Sequence, residues 1–292
     1  MGQLHCKAYS SLDGIEFAGI YDADQGRAGE VSKKFGVKSF VSVQELIEAA
    51  DAISISVPTV FHYGICMACL SKDRHILIEK PIAATIEQAR EIVMKVDQGP
   101  VTAAVGYIER FNPVVTEFLR LLKGRRIKHM EAMRAAPRVD RANDVSAVFD
   151  LMIHDIDIAL AAVQDEPRNV TAVGEKIDSS VFNKASAEIV FLGGAKALLS
   201  TDKTAPEKTR KLKAFCNGYT VEADLLKKTV KHNLDGTFRV YPVDGPESIK
   251  EEVRDFIDSV KGLKIPRVSA KDSLRSFELA WEIESKIEQF AK

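Results

Sequence analysis

Four short apolar, β-branched runs alternate with helical stretches in the first third of this chain and limit what it can fold into. The runs are Ile15–Tyr21, Ala52–Val57, His75–Ile78 and Val101–Val105. Between them lie Gln25–Phe35, Val43–Ala50, Phe61–Ser71 and Thr85–Val96, whose apolar residues recur at helical spacing. Gly36 falls just past one of these, where a left-handed cap is expected, and Asp73 closes another. Strand, helix and strand at this spacing build βαβ units, and so a mostly parallel sheet with helices on both faces. Near-continuous apolar strands agree, because such strands are buried on both sides.

The texture changes after about residue 125. Ile127–Ala135, Asn169–Val173, Ala185–Leu192 and Ala195–Thr201 read as strands, followed by Lys211–Phe215, Thr220–Ala223, Lys228–Lys231 and Thr237–Tyr241. The segments Leu192–Ala195 and Cys216–Tyr219 carry the Gly or Asn-Gly signal of a hairpin. One apolar helix, Asp150–Val163, precedes most of these strands, and Glu247–Lys261 and Ala270–Phe290 close the chain as helices. The expected architecture is α/β. A doubly wound domain over 1–108 is followed by an α+β domain over 109–292 with a large mixed or antiparallel sheet, and helix 270–290 is free to pack back on the first domain.

Composition adds exclusions. Lys and Arg total 41 against 42 Asp and Glu, a net charge of −1, which excludes a broadly basic nucleic-acid binder. No apolar run approaches the roughly 18–20 residues that cross a bilayer, so no membrane partner is expected. Met1–Ser11 lacks the cationic start and apolar stretch of a signal peptide. Four cysteines form no disulfide framework and fit a reducing cytoplasm.

Several residues stand out for chemistry. Gly2 opens a helical stretch, and Asp22 follows it at about the 20-residue spacing that separates the last glycine of a dinucleotide fingerprint from its ribose-binding acid. The preceding strand and glycines are missing, so the domain is expected to lack its first strand and to show a gap or distorted pairing there. Glu79-Lys80-Pro81 directly follows His75–Ile78, at the carboxyl edge where open parallel sheets bind ligands. These two charges are either a solvated strand end or groups awaiting a ligand. Lys80 can hydrogen-bond a substrate oxygen, or act as a base once desolvated.

Asp150, His154 and Asp157 follow i, i+4, i+7 spacing, which places three polar groups on one face of an apolar helix. A carboxylate one turn from a His suits a base and its orienter; the alternative is a helix cap and a satisfied core histidine. Arg134, Arg138 and Arg141 precede this helix and are candidates to hold a phosphate or carboxylate. Cys66 and Cys69 form C-x-x-C inside an apolar helix and read as buried thiols, and no metal site is expected. The basic run Lys208–Lys213 reads as a solvated strand face.

In order and spacing these residues resemble the glucose–fructose oxidoreductase / inositol dehydrogenase (Gfo/Idh/MocA) family of nicotinamide-dependent sugar oxidoreductases. The resemblance rests on Val57-Pro58-Thr59-x-x-His62, Glu79-Lys80-Pro81, Val105-Gly106-x-x-x-Arg110-Phe111-Asn112-Pro113 and Asp150-x-x-x-His154-Asp155-x-Asp157. It covers nearly the whole chain, and the Arg-Phe-Asn-Pro and His-Asp-Ile-Asp segments look most like the UDP-N-acetylglucosamine 3-dehydrogenase-like branch. The resemblance implies a Rossmann first domain that holds NAD, with NADP disfavoured by Asp22. It also implies a Lys and a His at the reacting carbon, here Lys80 and His154 with Asp150 beside it. Glu79 and Asp22 would bind ribose hydroxyls, Pro58, Thr59, His62 and Pro81 would line the cofactor cleft, and Asn112 and Asp157 would lie near the site. Arg138 and Arg141 join Lys80, Asp150, His154 and Asp157 as substrate-binding candidates. The implied reaction passes a hydride between a secondary hydroxyl of a sugar or sugar nucleotide and nicotinamide. A truncated, non-catalytic or cofactor-sensing relative, or a reductase of a non-sugar carbonyl, is the alternative. A homodimer or homotetramer through the second-domain sheet is expected.

Overall fold

The computed structural model describes residues 1–137, 145–177, 180–234 and 236–290. The chain forms two compact units, Met1–Phe111 with Pro246–Leu274, and Asn112–Gly245 with Arg275–Lys292. The expected division fell at 108/109. The segment that returns to the first unit is helix α8 (Ser248–Val260), whereas α9 (Ala270–Phe290) contributes only its first turn there. The cause is apolar burial: Ile249, Val253 and Phe256 of α8 join Ala8, Leu77 and Ala104 in one cluster.

The first unit runs α1 (Gly2–Tyr9), β1 (Gly19–Ile20), α2 (Gln25–Phe35), β2 (Lys38–Ser39), α3 (Val43–Ala49), β3 (Ala52–Ile55), α4 (His62–Leu70), β4 (His75–Glu79), α5 (Ile86–Asp97) and β5 (Ala103–Gly106). Caps set the helix starts. Asp24 accepts the Arg27 N–H, Ser42 that of Glu45 and Thr85 that of Gln88. Gly36 ends α2 in the left-handed region at φ 67°. Strands β3, β4 and β5 pair in parallel, and Ile53, Ile55, Ile76, Leu77 and Ile78 are all buried. The expected strand Ile15–Tyr21 contracts to Gly19–Ile20, which pairs only with β2. No ladder joins β1 to β3 among the described residues, so the sheet is interrupted where a gap or distorted pairing is expected.

The second unit holds α6 (Pro113–Leu122), β6 (Ile127–Ala135), a π-helical turn (Val148–Met152) leading into α7 (Ile153–Val163), and strands β7 (Pro167–Glu175), β8 (Lys184–Phe191), β9 (Lys196–Asp202), β10 (Thr209–Cys216), β11 (Tyr219–Asp224), β12 (Thr229–Leu234) and β13 (Thr237–Pro242). These make one eight-stranded mixed sheet in the order β13-β12-β11-β10-β6-β9-β8-β7, with β6 and β9 parallel and the other pairs antiparallel. Both hairpin signals are realised, the β8–β9 turn with Gly194 at φ 86°. Period-two alternation divides the faces: Ala132, Ala187, Leu199 and Ala214 are buried, while Met133, Val173 and Leu198 stay exposed.

Candidate active site

In the first unit the carboxyl ends of β1, β3 and β4 present Asp22, Pro58 with Thr59, and Lys80 with Pro81. Asp22 lies two residues past β1. Its Oδ1 accepts the Asp24 N–H at 2.9 Å and its Oδ2 faces Arg27 Nη1 at 3.5 Å. That carboxylate is one-third exposed, with side-chain accessibility of 33%. Gly2 opens α1, where a Cβ would come within 3.1 Å of Ser56 Oγ just past β3, so the helix start sits tight against the strand end. Pro58 is exposed, Thr59 half-buried, and both lead into the 3-10 turn Thr59–Phe61. Lys80 is half-buried and the Lys80–Pro81 peptide is cis.

Two residues expected to line the cleft turn inward instead. His62 is buried, with Nδ1 2.9 Å from the Pro81 carbonyl and Nε2 2.9 Å from the Val57 carbonyl. Its ring braces the loop after β3 against the loop after β4, because both nitrogens are turned to backbone. Glu79 is also buried; it accepts a hydrogen bond from His5 Nε2 at 2.8 Å, and a Cβ at Gly106 would come within 3.1 Å of its carboxylate. Beside the pair stands Glu252 of α8, 2% exposed, with no hydrogen-bond partner on either carboxylate oxygen. Burial, then the charges of Glu79 and Asp255, push its carboxyl well above the usual carboxylate range. Donor atoms of His5, Glu79 and Glu252 lie within 4.8 Å of one another, a gathering of metal-ligating types that the sequence reading did not contain.

In the second unit Asp150 belongs to the π turn and His154 to the first turn of α7. The inserted π turn breaks the phase of the expected polar stripe. Asp150 and His154 are half-buried, whereas Asp157 is buried at 2%. Asp150 Oδ2 pairs with Lys203 Nζ at 3.1 Å. Arg134 holds a carboxylate of the chain itself. Its Nε and Nη2 make contacts of 2.8–3.2 Å to the carboxylate of Asp155, with both side chains buried. Asn112 caps α6, its Oδ1 accepting the Val114 N–H at 3.0 Å ahead of Pro113. Arg138 and Arg141 lie outside the described residues. Cys66 and Cys69 are buried free thiols, and burial pushes the Cys69 thiol up to about 12.

Sequence reasoning missed Lys203, Glu252 and His5. Lys203 carried a readable signal, since it keeps the inward parity of Ala197, Leu199 and Thr201 one step past β9. Glu252 and His5 carried none, because their contacts join segments far apart in the chain.

Two family models match the chain: an oxidoreductase family with an NAD-binding Rossmann fold over residues 1–107, and the GFO/IDH/MocA C-terminal domain over residues 87–222. The chain belongs to the Gfo/Idh/MocA family; it is an oxidoreductase whose cofactor is NAD. It is 28% identical over 270 residues to UDP-N-acetylglucosamine 3-dehydrogenase of Acidithiobacillus ferrooxidans, covering 89% of this chain and 85% of that enzyme. A solved structure of that enzyme superposes with a TM-score of 0.94 at 26% identity, over 100% of this chain and 95% of the other. Myo-inositol 2-dehydrogenase of Thermotoga maritima is 23% identical over 99% of this chain and 94% of its own length. An oxidoreductase from Agrobacterium radiobacter, solved with NAD+, L-tartaric acid and magnesium, shares the fold at 14% identity and a TM-score of 0.89, over 98% of this chain and 93% of that one. No helix among the described residues is long and apolar enough to cross a membrane.

Proposed function

We propose that the chain oxidises a secondary hydroxyl of a sugar nucleotide of the UDP-N-acetylglucosamine class, using Lys80, His154 and Asp150. One observation carries the substrate class: the likeness to the Acidithiobacillus ferrooxidans enzyme runs through both units rather than the dinucleotide domain alone. When bound, NAD supplies the acceptor for the hydride that leaves the carbon. The residues present fit it. A partly exposed carboxylate ends β1, and a glycine opens α1 where a side chain would crowd Ser56.

In this reading Asp22 accepts hydrogen bonds from the adenosine ribose and repels a 2′-phosphate, which favours NAD over NADP, and Arg27 beside it softens that preference. Pro58, Thr59 and Pro81 form the wall at the strand ends. His154 takes the proton from the substrate hydroxyl, Asp150 orients the imidazole, and the Lys80 ammonium hydrogen-bonds the same oxygen as charge develops on it. Arg138 and Arg141 hold substrate phosphate. The chain assembles as a homodimer or homotetramer through the open face of the eight-stranded sheet. Val173, Ser186, Ser200 and Met133 lie side by side there across β7, β8, β9 and β6 without a charge among them. Four free cysteines, three of them buried, favour a reducing compartment such as the cytoplasm.

The test is reduction of NAD+ in the presence of UDP-N-acetylglucosamine, followed by nicotinamide absorbance. Lys80→Met and His154→Ala are each expected to lower kcat by about 100-fold or more, the scale of a general acid–base group, with the thermal melt preserved. Variants that both keep the parent kcat at saturating substrate would remove these residues from the mechanism.

A further inference from the structure

Lys203 is a buried lysine for which the proposed reaction, as set out above, has no use. It follows β9 and is 6% exposed; its Nζ lies 3.1 Å from Asp150 Oδ2 and donates to the Val145 carbonyl at 2.7 Å. A buried ammonium needs an anion to offset its desolvation, and Asp150 supplies it. The backbone holds the lysine in place, since its own N–H donates to the Asn183 carbonyl at 2.9 Å. Among the described residues near this helix, Arg134, Asp202 and Glu284 have partners of their own. Arg134 of β6 holds Asp155, Asp202 of β9 accepts the Thr204 N–H and hydroxyl, and Glu284 of α9 accepts the Ser146 hydroxyl. Asp157 is buried within α7 itself.

We propose that Lys203 is a positioning residue that holds the Asp150 side chain and, through it, sets how readily His154 gives up its proton. A carboxylate one turn away favours the imidazolium, and a cation on that carboxylate offsets part of its charge. Asp150 alone would make His154 hold its proton to higher pH; Asp150 neutralised by Lys203 leaves the imidazole free to accept one. Asp150 stands in the π turn and His154 follows in the first turn of α7.

This inference rests on the reading of Asp150 and His154 as orienter and base, so its test uses a readout that needs no substrate. Histidine-labelled protein is titrated by NMR, with the His154 signal assigned by its loss in His154→Gln. In Lys203→Gln, which keeps N–H donors for the Val145 carbonyl but drops the charge, the His154 midpoint is expected to rise by about half a pH unit or more. Lys203→Arg is expected to keep the parent midpoint, and in an Asp150→Asn background Lys203→Gln is expected to produce no rise. A His154 midpoint unmoved in Lys203→Gln, or moved equally with and without Asp150, overturns the proposal. Should Lys203→Gln not fold, Lys203→Arg decides: a midpoint displaced despite the retained charge overturns it. The acid limb of kcat/KM against pH is expected to follow the same shifts. A titration that shifts while His154→Ala keeps full activity would strike the catalytic reading and leave the Lys203 coupling standing.

Discussion

In the second unit Arg134 meets Asp155 through three N–H···O contacts of 2.8–3.2 Å, both side chains almost wholly buried. In the first unit His5 meets Glu79 through one hydrogen bond of 2.8 Å, and the neighbouring Glu252 has both oxygens unpartnered. A guanidinium fork matches a carboxylate in charge and geometry, so that pair satisfies itself inside the fold. An imidazole offers far fewer donors, and a second carboxylate beside the first has no cation to answer it. The first unit therefore raises the Glu252 carboxyl, whereas the second pairs its carboxylate with a cation. Burial alone does not fix the state of a charged residue; the partner's geometry does.

The largest effect should come from breaking the complete pair. Arg134→Met leaves Asp155 buried without its cation, and loss of one partner of a buried ion pair destabilises by about 3–5 kcal/mol. Urea unfolding should show that loss, and Arg134→Met/Asp155→Leu should recover most of it because no charge is then stranded. A single variant within 1 kcal/mol of the parent would mean that the pair is not holding the helix to the sheet.

The incomplete cluster predicts the opposite sign. Because the Glu252 carboxyl is raised in the folded chain, the unfolded chain gives up that proton first as pH rises past the ordinary glutamate range. Stability is lost from there until the folded group ionises, at up to about 1.4 kcal/mol per pH unit. Glu252→Gln removes the titration. The variant should be more stable than the parent at pH 8, and the difference should shrink towards pH 4. Thermal melts across that range in which Glu252→Gln is the less stable protein at pH 8 would refute a raised Glu252 carboxyl.

Legibility in the sequence follows the same division between local and distant causes. Helix α2 matches its expected span because Asp24 and Gly36, next to its ends, set them. Strand β6 matches as well, since its alternation is written in its own nine residues. Ile15–Tyr21 has strand composition too, yet only Gly19–Ile20 pairs, because strand length depends on neighbours and β1 has one. The loops carrying Asp22, Thr59 and Lys80 were legible from their place after apolar runs. The internal engagements of His62, Glu79 and Arg134 were not, because a side chain's partner across 19 to 74 residues leaves no trace in local pattern. The π turn escaped for another reason: one inserted residue changes the phase of a helix without changing its composition.

The smallest effect on stability, and the sharpest on assembly, is expected where the sheets of the two units differ. Strand β4 is apolar and buried on both faces, whereas β9 buries Ala197, Leu199 and Thr201 and opens Leu198 and Ser200 outward. Met133 stands beside Ser200 on that outward face at 51% exposure. Met133→Lys removes little buried apolar area, so its unfolding free energy should lie within about 0.5 kcal/mol of the parent's, the range of ordinary surface substitutions. If copies of the chain meet through this face, the new ammoniums would be desolvated against an uncharged row of Val173, Ser186 and Ser200, which disfavours association strongly. Sedimentation velocity of parent and variant at matched concentrations should then show the variant displaced towards the monomer. An unchanged distribution would move the assembly surface elsewhere. A loss of 2 kcal/mol or more in the variant would show that this face is covered within the chain itself, and the contrast between the two sheets would fall with it.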